Sequence, residues 1–247
     1  MKTKEIILDR FNNQNISIDK IVSGVQTIEK GIDRKTIIWA VNDLIKKGAV
    51  VRTGRGVYRL SSQKEFSPSL SNSTLAITDF ISNQFKYMAA TISDSSWLNE
   101  FMVQQPFSSV VVLEVVDSAV SSIVSKLRAE NFDAFPKSDF KYLEAYSKSA
   151  QPIVVSKTLQ TTATKKKNKL IRLAKLEKLL VDVICEPDIY GQYQGWELEN
   201  IFKNSIEKYA VNFSQMLKYA TNRGRKKDVE KLLDLTEGFL QYKETLV

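Results

Sequence analysis

The chain has 247 residues and 28.1 kDa, with 43% apolar and 26% charged residues; that balance excludes a disordered chain, a collagen-like fibre and a polytopic membrane protein. It holds no histidine and one cysteine, Cys185, so serine–histidine triads, histidine–zinc sites, internal disulfides and paired-cysteine sites are outside its own chemistry. Of the formal net charge of +8, residues 1–64 carry 13 Lys/Arg against 6 Asp/Glu and the remainder 23 against 22, so nearly all the excess sits in the first quarter of the chain. A basic module beside a neutral body points to a polyanion partner, although a solvated lysine surface has the same composition.

The opening Met1-Lys2-Thr3-Lys4-Glu5 is basic, but Ile6-Ile7-Leu8 is too short for a signal-peptide core. No segment approaches the ~20 apolar residues that cross a bilayer. Both features predict a cytoplasmic chain without a membrane partner. Residues 4–11 then place Ile7, Leu8 and Phe11 on one side of a first helix. Ser17 is the N-cap of a second helix carrying Ile18, Ile21, Val22 and Val25. Gly31-Ile32-Asp33 is a turn, with Asp33 capping a third helix over about residues 34–47 that closes at Gly48.

The third helix has two stripes. Ile37, Ala40, Val41 and Leu44 cluster on the side that should pack on the first two helices. Lys35, Trp39, Asn42 and Lys46 recur at intervals of four, three and four on the other. Donors around an aromatic ring suit a helix in a major groove, where Asn bonds adenine edges and Lys reaches guanine or phosphate. Arg34, in the first turn, would point at the duplex. Trp39 also reads as a core residue or a spacer under the hairpin, and Lys46 and Lys47 as a plain helix C-terminus. Two β-branched runs, 49–52 and 57–60, flank Thr53-Gly54-Arg55-Gly56 and predict a hairpin with Arg55 at its tip and Arg52 and Arg59 on its arms. Three helices and a basic hairpin make the order of a winged helix-turn-helix, with double-stranded DNA as partner; a winged helix that binds only protein is the plainer alternative. The DNA-binding set is Arg34, Lys35, Trp39, Asn42, Lys46, Arg52 and Arg55.

The fold class expected is α+β: a winged helix-turn-helix over residues 1–62, a serine-rich linker over 63–74 in which Phe66 and Leu70 can dock, and a small α/β domain with a helical C-terminal part over 75–247. Strands are predicted at 87–92, 109–116, 132–135 and 153–155, with helices at 94–102, 118–130 and 139–147. Past residue 160 the reading turns helical. Leu173, Leu176, Leu180, Val183 and Ile184 form one stripe and Cys185 is a small buried residue; helices follow near 196–209, 213–221 and 227–242. The sequence has no phosphate loop, dinucleotide fingerprint, nucleophile elbow or zincin motif. Glu114, ending the central strand, and Lys157, after Ser156, invite comparison with metal-dependent nucleases, but the second carboxylate is missing. Glu177 and Asp182, five apart, do not share a helix face. Salt-bridged carboxylates are the simpler reading, so no catalytic, cofactor or metal residue is assigned and the chain is read as not an enzyme. Lys165-Lys166-Lys167 and Arg223-Gly224-Arg225-Lys226-Lys227 are basic clusters, more often solvated loops than binding sites.

Arg34 to Gly48, continuing through Arg52-Thr53-Gly54-Arg55-Gly56-Val57-Tyr58, resembles the winged helix of AbiEi-type antitoxins. So do Trp97-Leu98-Asn99-Glu100-Phe101, Leu176-Glu177-Lys178-Leu179-Leu180-Val181-Asp182 and Asn212-Phe213-Ser214-Gln215-Met216-Leu217-Lys218-Tyr219-Ala220 in the body. The resemblance spans nearly the whole chain. It implies a bacterial, phage-defence context and a transcriptional repressor of its own promoter that is also the antitoxin of a type IV toxin–antitoxin system. The implied toxin is a nucleotidyltransferase, counteracted directly or only functionally. DNA contact carries over to Arg34, Lys35, Asn42, Arg52 and Arg55; no antitoxin residue is assigned. The alternatives are a metal-dependent nuclease targeted by a winged helix and a non-catalytic interaction scaffold.

Overall fold

The computed structural model describes residues 2–10, 14–60, 63–85, 87–142, 146–158, 163–168 and 170–245, and it is a mixed α and β protein. Three helices open it: α1 (Lys2–Arg10), α2 (Ile18–Ile28) and α3 (Arg34–Lys46). Ser17 Oγ accepts from Lys20 N at 3.3 Å and the Asp33 carboxylate from Lys35 N at 3.3 Å, so both expected caps start their helices. Ile7, Ile21, Val25, Ile37, Val41 and Leu44 close one apolar cluster. In α1, Ile7 is buried but Leu8 is exposed, and Ile6 takes its expected place against the cluster; Phe11 lies outside the described residues. β1 (Ile16–Ser17), β2 (Val50–Gly54) and β3 (Val57–Leu60) form an antiparallel sheet in the order β1-β3-β2. β1 went unforeseen because two residues carry no readable period.

The stretch after β3 runs along the body. Lys64 bridges to Tyr209, and its carbonyl accepts from Ala210 N at 3.1 Å. Phe66 is buried between the rings of Phe101 and Tyr209, 6.1 and 5.2 Å away between centroids. One aromatic anchor thus docks a segment whose serines alone read as a linker. Ser71 Oγ accepts from Thr74 N at 3.1 Å and starts α4 (Asn72–Gln84).

The body is built on a mixed sheet of β4 (Ala90–Asp94), β5 (Val111–Val115), β6 (Ala134–Pro136), β7 (Ile153–Lys157), β8 (Thr164–Lys166) and β9 (Ile171–Ala174), in the order β6-β7-β5-β4-β9-β8. β5 runs antiparallel to β4 and parallel to β7. Its apolar residues face two cores, as a central strand covered on both sides should. Leu113 and Val115 pack with Ile77 and Ile81 of α4 and with Ile123 and Leu127 of α5 (Val120–Ala129). Val112 shares the opposite core with α6 (Leu176–Cys185), α7 (Trp196–Lys208), α8 (Phe213–Asn222), α9 (Lys226–Leu233) and α10 (Glu237–Glu244). Strand alternation therefore aims Glu114, two residues from Val112, at α6.

Several expectations need correction. The first body strand starts at Ala90, not 87, and the following helix is a 3₁₀ segment, Ser95–Phe101, capped by Asp94 accepting from Ser96 N at 2.9 Å. The helix expected at 139–147 is a 3₁₀ turn, Lys137–Tyr142, with 143–145 outside the described residues. The region past 160 is not wholly helical: β8 and β9 extend the sheet, and Leu173 belongs to β9. Its short alternation abuts α6 and merges with the helical stripe when read along the chain. The last predicted helix is two, α9 and α10. Thr236 takes extended backbone between them and its hydroxyl donates to Leu233 O at 2.6 Å. Among the described residues no helix is long and apolar enough to cross a membrane.

Candidate nucleic-acid interface

With Ile37, Ala40, Val41 and Leu44 buried, Lys35, Trp39, Asn42 and Lys46 lie on the opposite face of α3, and all four are exposed. Trp39, which also read as core, is 64% exposed. A large ring left in water forfeits on the order of 2 kcal/mol of burial, so this face has its apolar element free for a partner. Lys4 of α1 sits 4.9 Å over the ring and also pairs with Asp43 at 2.6 Å. Bonds from Lys4 and Lys47 hold the Asp43 carboxyl below its ordinary value, so the acid of this face is neutralised from within. Lys35, Asn42, Lys46 and Arg55 have no side-chain partner among the described residues. Arg34 is exposed and paired with Asp19 at 2.7 Å.

The hairpin meets α3 at the C-terminal end of the helix, where Lys46, Lys47 and Arg52 line one cleft. Its turn is Arg55-Gly56, with Gly56 at φ +73°, a left-handed backbone that favours glycine. Arg52 and Arg55 are exposed, and Arg52 Nε donates to Gly54 O at 3.1 Å. The other side of the hairpin is fastened to the body. Gly54 lies so close to the Tyr242 ring of α10 that an added Cβ would overlap it, and Val57 is buried in the body's core. Arg59 lies in β3, the arm expected for it, but turns toward the body. It is half-buried and donates to Gln63 Oε1, whose amide donates to Ile206 O at 3.0 Å; burial pushes its guanidinium below the usual value.

The body's charges are arranged in the opposite sense. Lys178 of α6 is 0% exposed, and its ammonium donates to Glu114 Oε1 at 2.7 Å, Asp182 Oδ2 at 2.7 Å and Tyr219 OH at 2.9 Å. Arg223 bridges Asp182 at 2.6 Å and Glu186 at 2.6 Å, and Lys137 reaches Glu186 at 2.5 Å. Burial opposes the charge on Lys178, but the Asp182 and Glu114 carboxylates outweigh it and keep the ammonium protonated well above the ordinary lysine value. Burial raises Glu114. Glu114, Ser156, Lys157 and Asp182 line one cavity of about 70 Å³, so the residues compared with a nuclease site do converge, although Lys178 stands between the two carboxylates. Among the described residues no group of three or more Asp, Glu or Cys is placed to hold a metal ion. Glu177 is buried apart from this network and accepts from Asn212 N at 2.8 Å.

A family model matches residues 36–238, from the first turn of α3 into α10. The chain belongs to the family of unknown function DUF6577. The DUF6577 match takes in Trp39, Asn42, Lys46, Arg52 and Arg55 together with the body, and leaves Arg34 and Lys35 outside. No curated protein matches the chain. The crystal structure of RV2827C protein from Mycobacterium tuberculosis is similar at 12% identity over 94% of this chain and 79% of that one, with a TM-score of 0.25, too weak to transfer architecture or role.

In this DUF6577 chain, residue-level reasoning missed three things. Lys4 joins the α3 face from another helix, a placement with no local signal. Lys64 and Lys175 line, with Lys46, Lys47 and Arg52, a cleft of about 650 Å³ between the module and the body. Lys178 did have a signal: a lysine amid Leu176, Leu179, Leu180 and Val181, four residues before Asp182, marks a buried ion pair.

Proposed function

We propose that this chain is a DNA-binding transcriptional repressor that acts on its own promoter and serves as the antitoxin of an AbiE-like system. Its N-terminal module is read as a winged helix-turn-helix, with α3 as the recognition helix and the β2–β3 hairpin as the wing. The observation that carries this is the open face of α3. Four side chains at helical spacing, Lys35, Trp39, Asn42 and Lys46, stay in water, Arg52 and Arg55 of the hairpin are exposed as well, and Asp43 on the same helix is already paired. Asn42 and Lys35 would read base edges, while the arginines clamp phosphates.

Titrating the full chain with its own upstream duplex at several salt concentrations tests this. Roughly five phosphate contacts predict a log–log slope near −4 to −5. A flat salt response, or equal affinity for unrelated duplexes, overturns specific readout.

The antitoxin half rests on the resemblance in residues 97–101, 176–182 and 212–220. Most of these side chains are buried, so they support a shared body fold and do not mark a contact surface. Co-expression with a neighbouring nucleotidyltransferase tests it: growth rescue is expected, and toxicity unrelieved by the full chain removes this half.

A second reading, a metal-dependent nuclease, has one observation in its favour. Glu114 shares a cavity with Ser156 and Lys157, and its Oε2 has no partner among the described residues. Magnesium-dependent cleavage of duplex DNA, abolished in Glu114→Gln, would establish it over the first.

A further inference from the structure

The exposed stripe of α3 does not end at the helix terminus. Lys46, its last member, and Arg52 of the hairpin are also walls of the cleft between module and body. Lys35 and Lys46 are eleven residues apart, so the stripe runs about 16 Å along the helix and opens into the cleft at its C-terminal end. Lys47 continues the module's wall. Lys64 and Lys175 form the opposite wall, on the body.

Five cationic residues therefore line one cleft, against two lining carboxylates, Glu65 and Glu177; of the five, Lys47 is already paired with Asp43 at 3.2 Å. Neither carboxylate is available to balance them fully. Glu177 is buried and turned to the Asn212 N–H at 2.8 Å, and Glu65 is exposed between Lys165 at 3.4 Å and Lys175 at 3.6 Å. The Lys64 ammonium has no partner among the described residues, although its backbone is pinned beside Tyr209 and Ala210. Like charges converging from two walls repel one another, so the arrangement is relieved by a polyanion threaded between them.

We propose that this cleft seats the phosphodiester backbone of the duplex held by α3, making Lys64 and Lys175 of the body part of the DNA-binding surface. This rests on the DNA reading above and extends it: the module alone does not supply the whole footprint. The ligand chemistry is a chain of phosphates. The same cleft volume would also admit a free nucleotide, within the few hundred to a thousand Å³ usual for small-molecule sites.

The test uses the full chain, its own upstream duplex, and two double variants of equal charge change. Lys64→Gln/Lys175→Gln removes the body wall; Lys148→Gln/Lys231→Gln removes two exposed lysines outside the cleft. The cleft variant should melt like the wild type, and its salt slope should fall by nearly two, about 0.9 per lost phosphate contact. Backbone protection should shrink on one flank of the hydroxyl-radical footprint while protection under α3 stays. The control variant should keep the wild-type slope and footprint. Equal slopes and footprints for the cleft variant and the wild type overturn the inference and leave the DNA reading standing. Absence of salt-dependent binding by the wild type overturns both. If the cleft variant footprints like the wild type but loses a thermal stabilisation by ATP that the wild type shows, the occupant is a free nucleotide and the backbone proposal falls.

Discussion

The module and the body are both rich in charge, yet they spend it in opposite ways. On α3 and the hairpin, Lys35, Lys46 and Arg55 stand in water without side-chain partners among the described residues, and the local acid Asp43 is neutralised by Lys4 and Lys47. In the body, Lys178, Glu114, Asp182, Arg223 and Glu186 are paired with one another under the helices. An unpaired exposed charge keeps its hydration and adds little to folding, so it stays available to a ligand. A buried charge must be matched inside the fold, because desolvation far exceeds what one poor partner returns. Exposure therefore separates groups that can serve binding from groups that hold the structure, even where residue type and spacing are the same.

The strongest way to break this contrast is Lys178→Met. It strands Glu114, leaves Asp182 with Arg223 alone, and should cost about 3–5 kcal/mol in denaturant unfolding. Lys46→Met, the same change on the open face, should move stability by less than ~0.5 kcal/mol while weakening duplex binding. Similar losses for the two would erase the distinction.

A smaller effect is expected where the regions meet. Gly54→Ala forces a methyl into the Tyr242 ring, which is itself packed on Phe213 and Phe239 at 5.3 and 6.0 Å. A loss of about 1–3 kcal/mol is expected. The loss should be smaller in a Tyr242→Ala background, because the two sites couple through direct contact. Additive losses in thermal melts would mean that the hairpin is not held by that ring.

The smallest effect concerns Glu177. Burial raises its carboxyl above the ordinary 4.5, against the opposing bond from the Asn212 N–H. The folded state then holds the proton more tightly than the unfolded state. Its contribution is fully present below pH 4.5 and is lost as pH rises through the raised value. Glu177→Gln keeps an acceptor for Asn212 and removes the charge. The difference in melting temperature between wild type and variant should therefore grow in the variant's favour as pH rises above 4.5. A difference independent of pH would show that Glu177 does not titrate in that window.

Much of the module was legible in the residues because its determinants are local. Ser17 and Asp33 cap helices three and two residues away, α3 separates its stripes at a period of 3.6, and Gly56 marks a turn that needs positive φ. The body's central strand, β5, and its main helices were legible for the same reason. Two of its other strands were not: Thr164–Lys166, at the sheet edge, and Ile171–Ala174, between β4 and β8, are too short to carry a period, and they become strands by pairing with β4 and each other.

The chain by itself determined where the cationic excess lies and which face of α3 is polar, because composition and helical period need no partner. Tertiary structure alone decided which charges are free. Lys178 meets Glu114 across 64 residues, Arg59 turns inward to Gln63, and Lys175 comes to face Lys46 across the cleft. The reason is that burial and pairing belong to the space between elements, and no spacing within one element records what will be packed against it.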